Sequence, residues 1–129
     1  MENADLFPLA FKSPRQRQEF YSPKLDARLF WIIGLIALWV SRKHGLAPEL
    51  TDVYRTGEEQ RRIYPNEPTR RSVHQFWRGC DIVARGLNAA AHAEIRDFVN
   101  RLFHYGKPGH ETCIYHDVGK GWHLHVQVK

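Results

Sequence analysis

Leu29-Phe30-Trp31-Ile32-Ile33-Gly34-Leu35-Ile36-Ala37-Leu38-Trp39-Val40 is the longest uncharged apolar run in the chain. A membrane span needs roughly 18 or more such residues, so this shorter run reads as a buried helix. Pro23 suits a first helical turn, and Arg42, Lys43 and His44 complement the negative end of the helix dipole. Gly45 can take the left-handed stop conformation. The spacing predicts a helix from about Leu25 to His44, apolar nearly all round and central in the domain.

Around that helix the elements are short. Residues 1–22, with Pro8, Pro14 and the polar Arg15 to Glu19 stretch, read as an N-terminal arm, docked or partly mobile, and residues 23–129 as a single domain. Leu50 to Tyr54 suits a strand, and Thr56-Gly57-Glu58-Glu59 has the capping-box spacing that opens a helix through about Tyr64. Pro65 and Pro68 bound a loop, after which Ile82 and Val83 mark a strand from Cys80 to Ala84. Asn88 can cap a second long helix with the apolar stripe Ala91, Ile95, Phe98, Leu102 and Phe103, ended by Gly106 and Pro108. Thr112 to Lys129 reads as two strands about a turn at Gly119-Lys120-Gly121. This order predicts an α+β domain: a small antiparallel sheet, the long buried helix and a second flanking helix.

Composition narrows the function classes. With 129 residues, 43% of them hydrophobic and 26% charged, the chain suits one folded domain and neither two domains nor a disordered segment. A formal charge of +5 favours polyanionic partners: nucleic acid, anionic lipid or an anionic cell wall. Cys80 and Cys113 form no C-x-x-C pairing, which excludes a cysteine-rich zinc module and a disulfide-dense scaffold and leaves room for one bridge. The start, Met-Glu-Asn-Ala-Asp, lacks the basic residues and apolar run of a signal peptide, so synthesis in a cytoplasm is expected.

The chemistry concentrates in histidine. Of 8 histidines, His74 has Asp81 seven positions on, and His123 and His125 stand two apart on the predicted last strand. Residues two apart on a strand share a face, so both imidazoles point one way while Trp122, Leu124 and Val126 are expected in the core. A catalytic zinc site needs three ligands from His, Asp or Glu and an open position for water, and His74, Asp81 and one tail histidine supply that set. Spacing alone is not specific, because His110 and Asp117 repeat it. The surroundings add to it: Ser72-Val73-His74-Gln75-Phe76-Trp77-Arg78-Gly79-Cys80-Asp81-Ile82, and Gly121-Trp122-His123-Leu124-His125-Val126-Gln127.

With these segments the sequence resembles the zinc D-alanyl-D-alanine carboxypeptidase family, which includes phage L-alanyl-D-glutamate endolysins and shares its metal-site layout with lysostaphin-type peptidases and hedgehog domains. The family carries S-x-H-x6-D and, near the domain end, H-x-H; here these are Ser72, His74, Asp81, His123 and His125. Tyr54-Arg55-Thr56-Gly57-Glu58-Glu59-Gln60 is similar to the family's Y-R-T-x-x-E-Q segment, so the likeness runs over roughly residues 30–129. It implies a hedgehog or D-Ala-D-Ala-peptidase-like fold, with one zinc ion per chain on His74, Asp81 and His125. His123 would sit beside the water nucleophile as the catalytic proton acceptor, and Arg55 would face the substrate and hold a peptide carboxylate. Ser72 would orient the loop or a ligand, and Gln60 would contact the substrate or support a neighbouring site residue. Two positions depart from the family. Trp77 stands where many members have glycine, and Trp122 stands where some have an acidic base.

The implied activity is hydrolysis of an amide in peptidoglycan stem peptides, of D,D-carboxypeptidase or L-Ala-D-Glu endopeptidase type. The expected setting is the bacterial cell wall, reached by a monomer without a membrane span, as a phage lysis or tail-associated enzyme. From its strand beside the H-x-H strand, His116 is a candidate substrate or oxyanion contact. His110-Glu111 is not H-E-x-x-H, since Ile114 takes the fourth place, and Cys113 and His116 point to opposite faces of a strand. One alternative is a basic module binding nucleic acid or cell wall through Arg61, Arg62, Arg70, Arg71 and Arg78 with Tyr64, Phe76 and Trp77. No nucleic-acid motif accompanies those residues. A zinc-binding pseudoenzyme is a third reading.

Overall fold

The computed structural model describes residues 6–119 and 121–129. In chain order the elements are β1 (Ala10–Phe11), α1 (Pro14–Phe20), α2 (Ala27–His44), β2 (Glu49–Asp52), α3 (Gly57–Ile63), a 3-10 turn (Val73–Phe76), β3 (Gly79–Val83), α4 (Ala89–Leu102), β4 (Cys113–His116) and β5 (His123–Gln127). The fold is α+β, with four α-helices and five strands among the described residues.

Helix α2 is the expected apolar helix, begun two residues later than the sequence suggests. The Asp26 side chain accepts from the Arg28 amide and sets the start, leaving Pro23 outside the helix. Gly45, at φ 67°, closes it in the left-handed conformation. Leu29, Ile32, Ile33, Ile36, Ala37 and Val40 are buried, each large aliphatic among them contributing about 1.5–3 kcal/mol. The helix is not enclosed all round: Trp31 is 60% and Leu38 42% exposed. In α4 the buried stripe is His92, Ile95 and Val99, with Leu102 on the solvent side, and the helix stops at Phe103, ahead of Gly106. His92 replaces an apolar residue there because its Nε2 accepts from the Ala84 amide and its ring stacks on Tyr115.

The strands run in the order β1-β2-β3-β5-β4. All neighbouring pairs are antiparallel except β1 and β2, which are parallel, so the sheet is mixed where an antiparallel one is expected. A two-residue strand between Pro8 and Pro14 carries no alternation that a sequence pattern can register. The described part of the presumed arm is docked: Phe7, Leu9 and Phe20 lie in the same core as α2. Phe7 lies so close over α2 that a Cβ at Gly34 would come within 2.3 Å of its ring.

Helices α2 and α4 cover one face of the sheet. Cys80, Ile82, Cys113, Leu124 and Val126 point toward them and are buried. The other face carries Asp81, Ile114, His116, His123 and His125. Cys80 and Cys113 both pair with Val126 from opposite sides, two strand spacings or about 9–10 Å apart, and both are free thiols. That exceeds the roughly 7 Å limit for a bridge.

Candidate metal centre

Strand register assembles the site. Asp81 on β3 lies opposite His125 on β5, and His116 on β4 lies opposite His123. His74 comes from the 3-10 turn, which Ser72 caps: its hydroxyl accepts from the His74 amide at 3.3 Å while Gln75 Oε1 accepts from the Ser72 amide at 2.9 Å. The turn rests on β3 so closely that a Cβ at Gly79 would stand 2.4 Å from a Val73 methyl.

Asp81 is the hub. Its Oδ1 is 3.2 Å from His74 Nε2 and 2.9 Å from His125 Nδ1, and its Oδ2 is 3.6 Å from His123 Nε2. Burial alone would push the Asp81 carboxyl up, but the charge of His74 and the hydrogen bonds from both histidines hold it well below the usual carboxylate range. Burial would likewise lower His74, and Asp81 reverses it, leaving that imidazole raised. For His116, burial and then the neighbouring His123 and His125 push the imidazole down.

Each of the three central histidines has its other ring nitrogen occupied. His74 Nδ1 donates to the Val53 carbonyl at 2.9 Å, and His123 Nδ1 donates to the Gly121 carbonyl at 2.9 Å. His125 Nε2 donates to Gln127 Oε1 at 3.1 Å, and the Gln127 amide in turn donates to the Glu111 carbonyl. These partners orient the rings so that His74 Nε2, His125 Nδ1 and His123 Nε2 turn toward Asp81, the nitrogens that a bound metal would take in exchange for a proton.

His74, Asp81 and His125 form a group that could hold a metal ion, their ligand atoms all lying within 4.8 Å of one another. Ligands at Zn–N distances of about 2.0–2.1 Å stand about 3.3 Å apart in a tetrahedron, close to the separations around Asp81 Oδ1. Two imidazoles and one carboxylate suit a borderline cation, and a cleft of about 320 Å³ leaves the remaining coordination position open.

The residues singled out for the peptidase reading, His74, Asp81, His123, His125, Ser72, His116, Arg55 and Gln60, all line this cleft; of those in the binding-module reading Tyr64, Arg70 and Arg71 do, and Arg61, Arg62, Phe76, Trp77 and Arg78 do not. Arg55 is buried and committed, with Nη2 donating to Asp52 at 2.5 Å and Nη1 to Gln60 Oε1 at 2.7 Å. Its Nε and the Gln60 Nε2 are buried donors without a partner among the described residues. Trp122, expected in the core, is 59% exposed, because it precedes β5 and follows Gly121 at φ 95°. Gln127 escaped the sequence reading, although its place two residues past His125 puts it on the same strand face. Asp52 escaped it as well, since nothing local marks it as the partner of Arg55.

No protein-family model matches the chain, and no curated protein matches it. Among the described residues no helix is long and apolar enough to cross a membrane.

Proposed function

We propose that the chain is a zinc metallopeptidase that hydrolyses an amide bond in peptidoglycan stem peptides, with a fold of the D-alanyl-D-alanine peptidase and hedgehog type. The observation that carries the reading is the convergence of two imidazole nitrogens and one carboxylate oxygen in an open cleft, with the imidazole of His123 alongside. Zinc held by His74, Asp81 and His125 would polarise the scissile carbonyl and bring the pKa of water toward neutrality.

His123 Nε2 is the base. It accepts a proton from the attacking water as the water oxygen bonds to the carbonyl carbon, and returns it to the amide nitrogen as the C–N bond breaks. Its Nδ1–H bond to Gly121 leaves Nε2 as the accepting nitrogen before the proton is taken up and holds the ring in place while it is charged. Asp52 and Gln60 hold Arg55 in place at the cleft wall, while Arg71, exposed and without an ion pair among the described residues, offers a free guanidinium for a substrate carboxylate. Every ligand comes from one chain, so a monomer is sufficient. The setting that follows is the bacterial cell wall, in a lysis or tail-associated role of phage type.

Metal content and turnover of two variants test the roles separately. His125→Ala is expected to lose zinc and activity together, and His123→Ala to retain zinc and lose turnover by on the order of 100-fold or more. Equal zinc content in the wild type and His125→Ala would refute the ligand assignment.

A further inference from the structure

The metal centre does not lie at the blind end of a pocket. On one side is the cleft of about 320 Å³ that includes Arg55 and Arg71. On the other is a second cavity of about 300 Å³ among Lys12, Thr51, Asp52, Arg85 and Trp122, in which the Asp52 carboxylate is already paired with Arg55. Asp81 and His123 belong to the walls of both, so the group assigned to proton transfer stands at their junction.

The second cavity has features that the core does not require. Trp122 presents 59% of its surface to solvent, braced from one side by Tyr115 at 5.0 Å. Lys12 is exposed and has no ion pair among the described residues, whereas Arg85 is held by Glu49 at 2.8 Å. A wide aromatic face beside a free ammonium suits a peptide carrying a carboxylate. An enzyme that removes only a terminal residue needs one long arm and a short closed one, and here both arms are open and of similar volume.

We infer that the Lys12–Trp122 cavity is a second substrate subsite, so that the protein is an endopeptidase holding the stem peptide on both sides of the scissile bond. Trp122 packs on the chain and Lys12 pairs with a carboxylate. This inference rests on the zinc peptidase reading above.

The test uses the zinc-loaded protein and N-acetylmuramoyl-pentapeptide ending in D-Ala-D-Ala, with products identified by mass. Cleavage of an internal bond is expected. Trp122→Ala and Lys12→Glu, both at exposed positions, are expected to lower kcat/KM on the order of tenfold, mainly through KM, with zinc content unchanged. Calorimetric titration with the same peptide should show the same loss of affinity. Release of the terminal D-alanine alone would overturn the endopeptidase inference and leave the peptidase reading standing. Unchanged KM and affinity in both variants would overturn the subsite. No cleavage of any bond would bring down the peptidase reading itself.

Discussion

Trp77 is the one non-glycine residue with positive φ among the described residues, at φ 59° and ψ 31°. That conformation costs an L-residue roughly 1–2 kcal/mol, which a glycine at this position would not incur. The ring is held in compensation: it stacks on Tyr54 at 4.5 Å and 14°, and its carbonyl accepts from the Asp26 amide. A replacement that keeps the Cβ and removes the ring retains the strain without the stack. Trp77→Ala is therefore expected to be less stable than Trp77→Gly by about 1 kcal/mol in urea unfolding, and an alanine variant as stable as the glycine one would contradict this. The tight turn before β3 was legible in the motif; the stacking partner was not, because Tyr54 reaches it only through the fold. The misplacement of Trp122 has a similar origin, since strand alternation applies only inside the strand.

At the scale of elements, α2, α3 and α4 were the most legible part, while α1 lay in the stretch read as an arm and the 3-10 turn in one read as a loop. The caps that could be read are local chemistry, and Thr56 and Asn88 each accept from an amide three residues on. Strand β1 was not legible, because it is defined by pairing with Glu49 and Leu50 rather than by its own two residues. The element on which the metal centre depends most is the 3-10 turn that carries His74. Its seat on β3 requires Gly79 to lack a side chain, since Val73 would otherwise have to move. Gly79→Ala is thus expected to weaken zinc binding by about tenfold or more, with far-ultraviolet circular dichroism near that of the wild type. Unaltered zinc affinity would show that the turn does not set the ligand position.

For the whole molecule, the decisive contacts are long-range. The site forms because β3 pairs with β5 in the register that sets Asp81 against His125, and neither segment alone specifies that register. Residue types and their spacing gave the candidate set; the ring orientations, and the burial of Arg55, needed the assembled sheet. The N-terminal segment joins the same assembly. Arg15 on α1 pairs with Glu59 on α3 at 2.7 Å and donates to the Tyr54 carbonyl at 3.0 Å, tying the segment to a wall of the cleft.

The Arg15 hydrogen bond is the largest influence on the Glu59 carboxyl, and with the Thr56 amide it outweighs burial to bring the carboxyl from 4.5 down to about 2. A depressed carboxylate stabilises the fold fully above its unfolded value and loses that contribution as pH falls through its folded value. Glu59→Gln should therefore be less stable than wild type at pH 7, by no more than about 1 kcal/mol given the exposure of Arg15. The difference should close between pH 4.5 and about 2. A difference independent of pH would show that the ion pair is not its source.

The measurement that tests the central claim most directly is mass spectrometry of peptidoglycan fragments after incubation with the zinc-loaded protein, with and without a chelator. The account predicts stem-peptide amides hydrolysed in the zinc-loaded sample and intact when the metal is removed. Intact stem peptides across several wall chemotypes with zinc bound would contradict it, and so would cleavage that proceeds unchanged in the chelator.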